Sequence, residues 1–370
     1  ITRSRFGRRI PYLAAAAVPV GIVFFLLWVP PFTRVDQEFS LFLYFLLMIC
    51  LFDGLYSLVV INWTALFPEM FPGLRERSQV NAYRQSFVMI GLLIGVSLPP
   101  LIYSQWGWGR MGALFGGLIT LVLLIALWGS RENKRDSAVP ALPLGKALKA
   151  TFNNRSFITF SLANLFVQFT FTTILATIPF FAKYVLHVGP LETTQLLASA
   201  FLVAIPMLFV WKRLTIRFGA KYCFMAAMAI MLPFLFPLLY ANNFGSVLLI
   251  ACLIGSGLAG FLFLADIILA DIIDEDEINT GTRREGMFFG TAAFINRFAI
   301  ALEAFCMGAV FILSGYTPYI FTQTQSFQGG LRLLIAGLPM IALMLAFVIM
   351  IWYPLAGKRL AEIHKSKEVI

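Results

Sequence analysis

Histidine and cysteine are scarce in this 370-residue chain, with two of the first and four of the second. His187 and His364 stand too isolated for a metal site or a catalytic dyad. Cys50, Cys223, Cys252 and Cys306 each sit within an apolar run, at no metal-ligand spacing and with no pairing pattern. A metal centre and a disulfide framework are therefore not expected. A phosphate-cradling loop is missing too: Gly145-Lys146 is followed by Ala147 and lacks the preceding glycine spacing, which argues against a nucleotide-driven pump. Nor does any nucleophile, or any carboxylate pair, stand at reactive spacing, so neither an enzyme nor a cofactor is expected. Charge is the largest deficit. Only 12% of residues are charged, where soluble proteins average roughly 25%. That deficit excludes an ordinary water-soluble domain.

Apolar residues fill the gap: 60% of the chain is hydrophobic, and 38 residues are Phe. A helix needs roughly 20 mostly apolar residues to cross a hydrocarbon layer ~30 Å thick. Ten stretches qualify, at 11–29, 39–67, 79–103, 111–128, 157–180, 195–210, 222–240, 247–270, 287–313 and 331–353. Runs this long must be helices, because no water satisfies their peptide groups and barrel strands are about half as long and alternate. The predicted fold class is all-α integral membrane. The net charge of +10 does not call for nucleic acid. With residue 1 on the cytoplasmic side, all but six of the 28 Lys and Arg fall in cytoplasmic loops or the C-terminal tail; Arg34, Arg110, Lys183 and Arg332 lie outside, and Arg84 and Arg297 within spans. This bias predicts a multi-pass protein of the cell membrane with residue 1 and the C-terminus cytoplasmic.

The chain is also written twice. Arg5-Phe6-Gly7-Arg8-Arg9 recurs as Arg217-Phe218-Gly219-Ala220-Lys221, each copy just before an apolar stretch, and Arg75-Glu76-Arg77 recurs in kind as Arg283-Arg284-Glu285. Internal repeats of this sort build many secondary transporters, with the substrate cavity between the halves near the bilayer midplane. Basic residues with Pro140 and Pro143 mark 130–156 as a cytoplasmic linker. It divides a four-span bundle, 1–129, from a six-span bundle with a tail, 157–370. The chain opens with Ile inside a basic loop, so equivalence of the halves predicts two further spans upstream and twelve in the intact molecule.

Ionisable groups within spans cost on the order of 2.5–3.5 kcal/mol each on insertion scales, so each is a functional candidate. Asp53 and Arg84 occupy adjacent spans, and Arg297 lies ten residues into the ninth, with Glu303 turned well away from it around the helix. The helical period puts Tyr56, Ser57, Val60 and Thr64 in one stripe with Asp53, and gives the fifth span a stripe of Asn164, Gln168 and Thr172. Such stripes either bind a polar solute or join helices. The acidic run 271–277 is placed in a cytoplasmic loop, either as a solvated cluster or as a gate. In the gate reading Asp271, Asp274, Glu277 and Glu285 pair with Arg283 and with the repeated basic motifs Arg5, Gly7, Arg8, Arg9 and Arg217, Gly219, Lys221 when that side is shut.

Four segments together resemble the glycoside-pentoside-hexuronide:cation symporters of the major facilitator superfamily. They are Arg3 to Tyr12, Asp53-Gly54-Leu55-Tyr56-Ser57 through Pro68-Glu69, Asp271 to Glu277 with Arg283, Arg284 and Glu285, and Gly315-Tyr316-Thr317-Pro318. The resemblance implies the major facilitator fold, two pseudo-symmetric helical bundles. It matches Arg84 to an arginine at the family's sugar site, Arg297 to the place of an intramembrane lysine, and Tyr56 and Ser57 to a pair lining the sugar and cation sites. Val60 stands where a sodium-coupled member has an aspartate. The expected function is a secondary active transporter of a sugar or glycoside coupled to Na+ or H+, working as a monomer in the bilayer. Arg84, Tyr56, Asp53, Thr64, Asn164, Gln168 and Arg297 would meet the solute, and Asp53 and Ser57 the cation. A lysolipid carrier or a non-transporting receptor on the same scaffold is the alternative.

Overall fold

The computed structural model describes residues 9–31, 37–70, 74–131, 152–281, 285–318, 323–357, 360 and 363. Within these it describes no side chains at 64, 65, 67–69, 74–79, 81, 82, 85, 86, 89 and 285. Helices account for nearly all of it, and no strand occurs among the described residues. Two compact units divide the chain, Ile1–Val139 and Pro140–Ile370.

The first unit holds α1 (Ile10–Leu27), α2 (Glu38–Met70), α3 (Leu74–Ser97) and α4 (Pro99–Gly129). α1 packs between α2 and α4. Leu13, Ala16 and Val20 of α1 meet Val59 and Leu66 of α2 in one buried cluster, with Phe52, Leu55, Leu58 and Trp63 of α2 packed against it. The crossing of α1 with α4 is close because it is made of glycine: a Cβ on Gly116 would stand 2.5 Å from the carbonyl oxygen of Gly21. Sequence reading placed a loop between 103 and 111. The break falls there, at Gly107 within α4: its φ of 78° and ψ of 165° are not helical, only glycine adopts them without strain, and they separate the helical residues 99–106 from 108–129.

The second unit holds α5 (Arg155–Tyr184), α6 (Pro190–Phe218), α7 (Ala220–Leu235), α8 (Phe244–Thr280) and α9 (Glu285–Leu313). It ends with α10 (Gln325–Arg332) and α11 (Leu338–Ile351), joined by a π-turn at Leu333–Gly337 into one span. Helix starts follow the capping residues. The Asn154 side chain accepts from the Phe157 amide at 2.9 Å, Asn243 from Gly245 at 3.0 Å, and Thr324 from Phe327 at 3.2 Å. α6 lies along α8, α11 against α5 and α7, and α9 against α5. Among the described residues, nine helical segments are long and apolar enough to cross a membrane. α3, where a tenth was expected, is not among them; its first turns hold Arg75, Glu76 and Arg77.

The repeated motif has a structural counterpart. In the second copy Gly219 (φ 84°) breaks α6 from α7, and the Lys221 ammonium donates to the carbonyls of Ile351 at 3.0 Å and Tyr353 at 2.7 Å, at the end of α11. A cation there meets the unsatisfied carbonyls of a helix C-terminus. In each unit the helix after the motif, α1 or α7, packs against the last helix of that unit.

Candidate solute site and its membrane helices

On α2 the packing seam runs through Phe52, Leu55, Val59, Trp63 and Leu66. Asp53, Tyr56, Ser57 and Val60 fall on the neighbouring stripe. Asp53 and Ser57 are half-buried, and Tyr56 and Val60 are exposed. The Tyr56 ring stacks on Phe52, with centroids 6.1 Å apart and planes 12° apart, which fixes the phenol along the helix. Asp53 and Ser57 both make polar or electrostatic contacts. Asn62, beside the stripe, is already occupied: its amide donates to Leu58 O at 2.8 Å. Arg84 of α3 is exposed and has a contact of its own. The side chain of Thr64 lies outside the described residues.

In the second unit Asn164 of α5 donates to the Asn296 side-chain oxygen of α9 at 3.0 Å. Sequence reading singled out Asn164 and passed over Asn296, although it directly precedes Arg297. Gln168 is half-buried one turn above Asn164, and the Thr172 hydroxyl turns back to the carbonyls of Gln168 and Phe169 at 3.0 and 3.2 Å. Arg297 lies on the exposed side of α9. One member of the Asn164, Gln168, Thr172 stripe therefore joins two helices and another is satisfied within its own. An amide pair of this kind within a membrane bundle couples by roughly 0.6 kcal/mol on average and up to about 1.7. A double-mutant cycle of Asn164→Leu and Asn296→Leu on thermal unfolding in detergent is expected to return a coupling energy in that range; additive single effects would show the rung contributes nothing.

The enclosed void in this unit, among Ile178, Phe201, Met231, Ile254 and Phe261, measures about 50 Å³ and has an almost wholly apolar wall. That is small for any solute, and its lining offers nothing to bind a water.

A model of the family described as MFS/sugar transport protein matches residues 1–357. This chain belongs to that family. An uncharacterized symporter of Synechocystis sp. is 24% identical, over 96% of this chain and 82% of that one. A proposed sulfoquinovose importer of Escherichia coli is 27% identical, over 98% and 80%. The sodium-dependent lysophosphatidylcholine symporter 1-A of Danio rerio is 22% identical, over 99% and 76%. In fold the chain is similar to a bacterial homolog of the human lysosomal transporter Spinster, solved inward-facing and unoccupied. The TM-score is 0.64 at 13% identity, covering 93% of this chain and 82% of that one. The major facilitator fold and a multi-pass secondary transporter, expected from the sequence, are thus shown.

At the Thr280 end of this MFS/sugar transport protein's second unit, one expectation is corrected. The run 271–277 is not a loop: α8 continues through it to Thr280 and stops at Gly281, in the left-handed region at φ 68°. No Gly or Pro stands between Gly260 and Gly281, and Ile272 and Ile273, both buried, give the last turns a core face. Nor is the whole cluster solvated. Asp271, Glu275 and Asp276 are buried, while Asp274 and Glu277 are half-buried. Acids here oppose the helix dipole, so they persist only through other contacts, and all five have them. One neighbour is Tyr353, 3% exposed, whose hydroxyl has no hydrogen-bond partner among the described residues. Burial first, then the negative charge of Asp271 and Glu275, push this phenol well above its usual range, so it stays neutral. Of the other proposed gate groups, Arg9 precedes α1, Arg217 is exposed with its guanidinium 5.3 Å from the Phe218 ring centroid, and Lys221 is held by α11. Arg5, Gly7, Arg8 and Arg283, and the Glu285 side chain, lie outside the described residues.

Proposed function

We propose that this transporter carries a hydroxyl-rich solute, a sugar or glycoside, across the cell membrane together with Na+ or H+. The observation that carries the reading is the α2 stripe: within an otherwise apolar span, Asp53, Tyr56 and Ser57 stand on a face that the α1 seam does not use. A carboxylate, a phenol and a hydroxyl at successive turns match the donors and acceptors of a sugar, and Asp53 with Ser57 offers oxygen ligands to a cation. Arg84 supplies a forked donor. Thr64 in the first unit, and Asn164, Gln168 and Arg297 in the second, are the other proposed solute contacts. The positive-inside bias favours cytoplasmic placement of residue 9 and of the α8 and α11 C-termini. In that orientation the acids from Asp271 to Glu277 belong to the proposed cytoplasmic gate. The lysolipid reading is favoured by the lysophosphatidylcholine symporter among the relatives. An acyl chain needs a long apolar channel, and the void described above, at about 50 Å³, is too small to be one.

Uptake by proteoliposomes separates these readings. A panel of sugars and glycosides and a labelled lysolipid are offered under an imposed Na+ or H+ gradient. Accumulation of a sugar under one of the gradients is expected. Accumulation of the lysolipid alone transfers the assignment to the amphiphile, and no gradient-driven accumulation at all removes the symporter reading.

A further inference from the structure

Glu303 is a buried acid that the proposed site leaves unused. It lies on α9 well away from either end and is 8% exposed. Helical periodicity aligns it with Asn296 and Ala299 on one side and Cys306 on the other. Ala299 and Cys306 belong to the cluster with Phe166 and Phe169 of α5 and Ala342 of α11, so Glu303 sits in the seam where α9 meets α5. The register of that seam is set by three pairs with a near-constant offset in sequence: Phe157 on Phe288, Asn164 on Asn296 and Phe180 on Phe311. The two helices therefore run parallel, and Glu303 stands at the height of Thr172.

Among the described residues of the second unit, no cation of the elements packed against α9 stands at that height. α5 carries titratable groups only at its ends, Arg155 on one side and Lys183 and Tyr184 on the other. α11 and the π-turn carry none, and Arg332 of α10 is committed to the carbonyls of Leu239 and Ala241 and to Asn242. α8, which touches α9 lightly, offers the thiol Cys252 and the acids Asp266, Asp271, Asp274, Glu275, Asp276 and Glu277. On α9 itself stand Glu285, Arg297 on the exposed side, and the thiol Cys306. Among the described residues no hydrogen bond or ion pair reaches the Glu303 carboxyl. An ionised carboxylate in a membrane seam without a counter-charge is costly, and protonation removes that cost.

We propose that Glu303 is a proton-binding site and that the proton it exchanges is the one coupled to solute movement. The proposal rests on the transport reading above. Thr172, Gln168 and the Asn164–Asn296 rung succeed one another along the same seam, about a helical turn or ~6 Å apart. They form a polar line from Glu303 towards the groups assigned to the solute, so a change at one end alters the surroundings of the other.

Two measurements on the full chain in lipid test this. Infrared difference spectra of wild type against Glu303→Gln are expected to show, at neutral pH, a protonated-carboxyl stretch that the variant lacks. In proteoliposomes Glu303→Gln mimics the protonated acid. It is expected to reduce accumulation driven by a proton gradient to the equilibrium level, an inside-to-outside ratio of about one. Solute counterflow, which needs no net proton movement, should continue near the wild-type rate. Glu303→Asp, which keeps a titratable group, should accumulate solute with a displaced pH profile, and it tests coupling should the Gln variant misfold. Absence of the infrared band, wild-type accumulation by the Gln variant, or accumulation driven by Na+ with no response to a proton gradient would each overturn the proposal. A wild type that moves no solute ends the transport reading, and the infrared arm, which needs no transport, still shows whether Glu303 holds a proton.

Discussion

Arg84→Ala is expected to bring gradient-driven solute uptake down to the background of empty liposomes while leaving a folded, monodisperse protein. The two halves of that result have different physical sources. The side chain is exposed on α3, so truncating it opens no cavity, and exposed substitutions usually change stability by no more than about 0.5 kcal/mol. Uptake depends on the guanidinium itself. A forked, permanently charged donor to two oxygens contributes on the order of 1.5–3 kcal/mol per charge-assisted bond, which is roughly 10- to 150-fold in affinity for each one lost. Arg84→Lys restores charge without the fork and is expected to fall between the two. Initial uptake rates, read beside size-exclusion profiles and melting curves, decide the matter. Uptake within two-fold of wild type in Arg84→Ala would remove this residue from the solute site.

Much of the architecture was legible in the sequence because a membrane leaves few choices. Long apolar runs have to be helices, and Asn154, Asn243 and the prolines at Pro11, Pro99 and Pro190 mark where several begin. The reading failed where polarity and helicity part company. Acidic residues from Asp271 to Glu277 look like a loop, yet α8 passes through them, because Ile272 and Ile273 keep one face of the helix in the core. A window that averages hydropathy does not register an acid that is buried. The break read at 104–110, by contrast, is present, at the non-helical Gly107. At the site, periodicity placed Asp53, Tyr56 and Ser57 together on α2. It did not find Asn296, because a single amide inside an apolar helix has no pattern of its own until Asn164 arrives from α5. Glu303 was visible as a charge within a span, but only the packing of Ala299 and Cys306 places it in a seam instead of on a surface.

Gly255→Val is expected to cost the most stability of any single change in the second unit. α6 and α8 make the most extensive packing there, and Gly255 is where their backbones meet. A Cβ at that position is driven onto the carbonyl oxygen of Ala200, far inside van der Waals contact, and 3.0 Å from its carbonyl carbon. Backbone atoms of a packed helix cannot rotate away as a long side chain does, so the two helices must separate. The same separation strains the bond from the Trp211 indole to the Ser256 carbonyl, 2.8 Å in the native seam. It also disturbs the contact of Gly260 with the Trp211 ring and Ala227. With overpacking costing typically 1–3 kcal/mol, and more when backbone moves, a loss of about 3 kcal/mol or greater is expected. It should appear as a lowered melting temperature in detergent and a poor yield from membranes. Gly290→Ala on α9 is the control: nothing lies within 4 Å of a Cβ there, and alanine favours helix by up to about 1 kcal/mol. It should melt at or above the wild-type temperature. If Gly255→Val melts with the wild type, α6 and α8 do not approach as closely as the native seam requires.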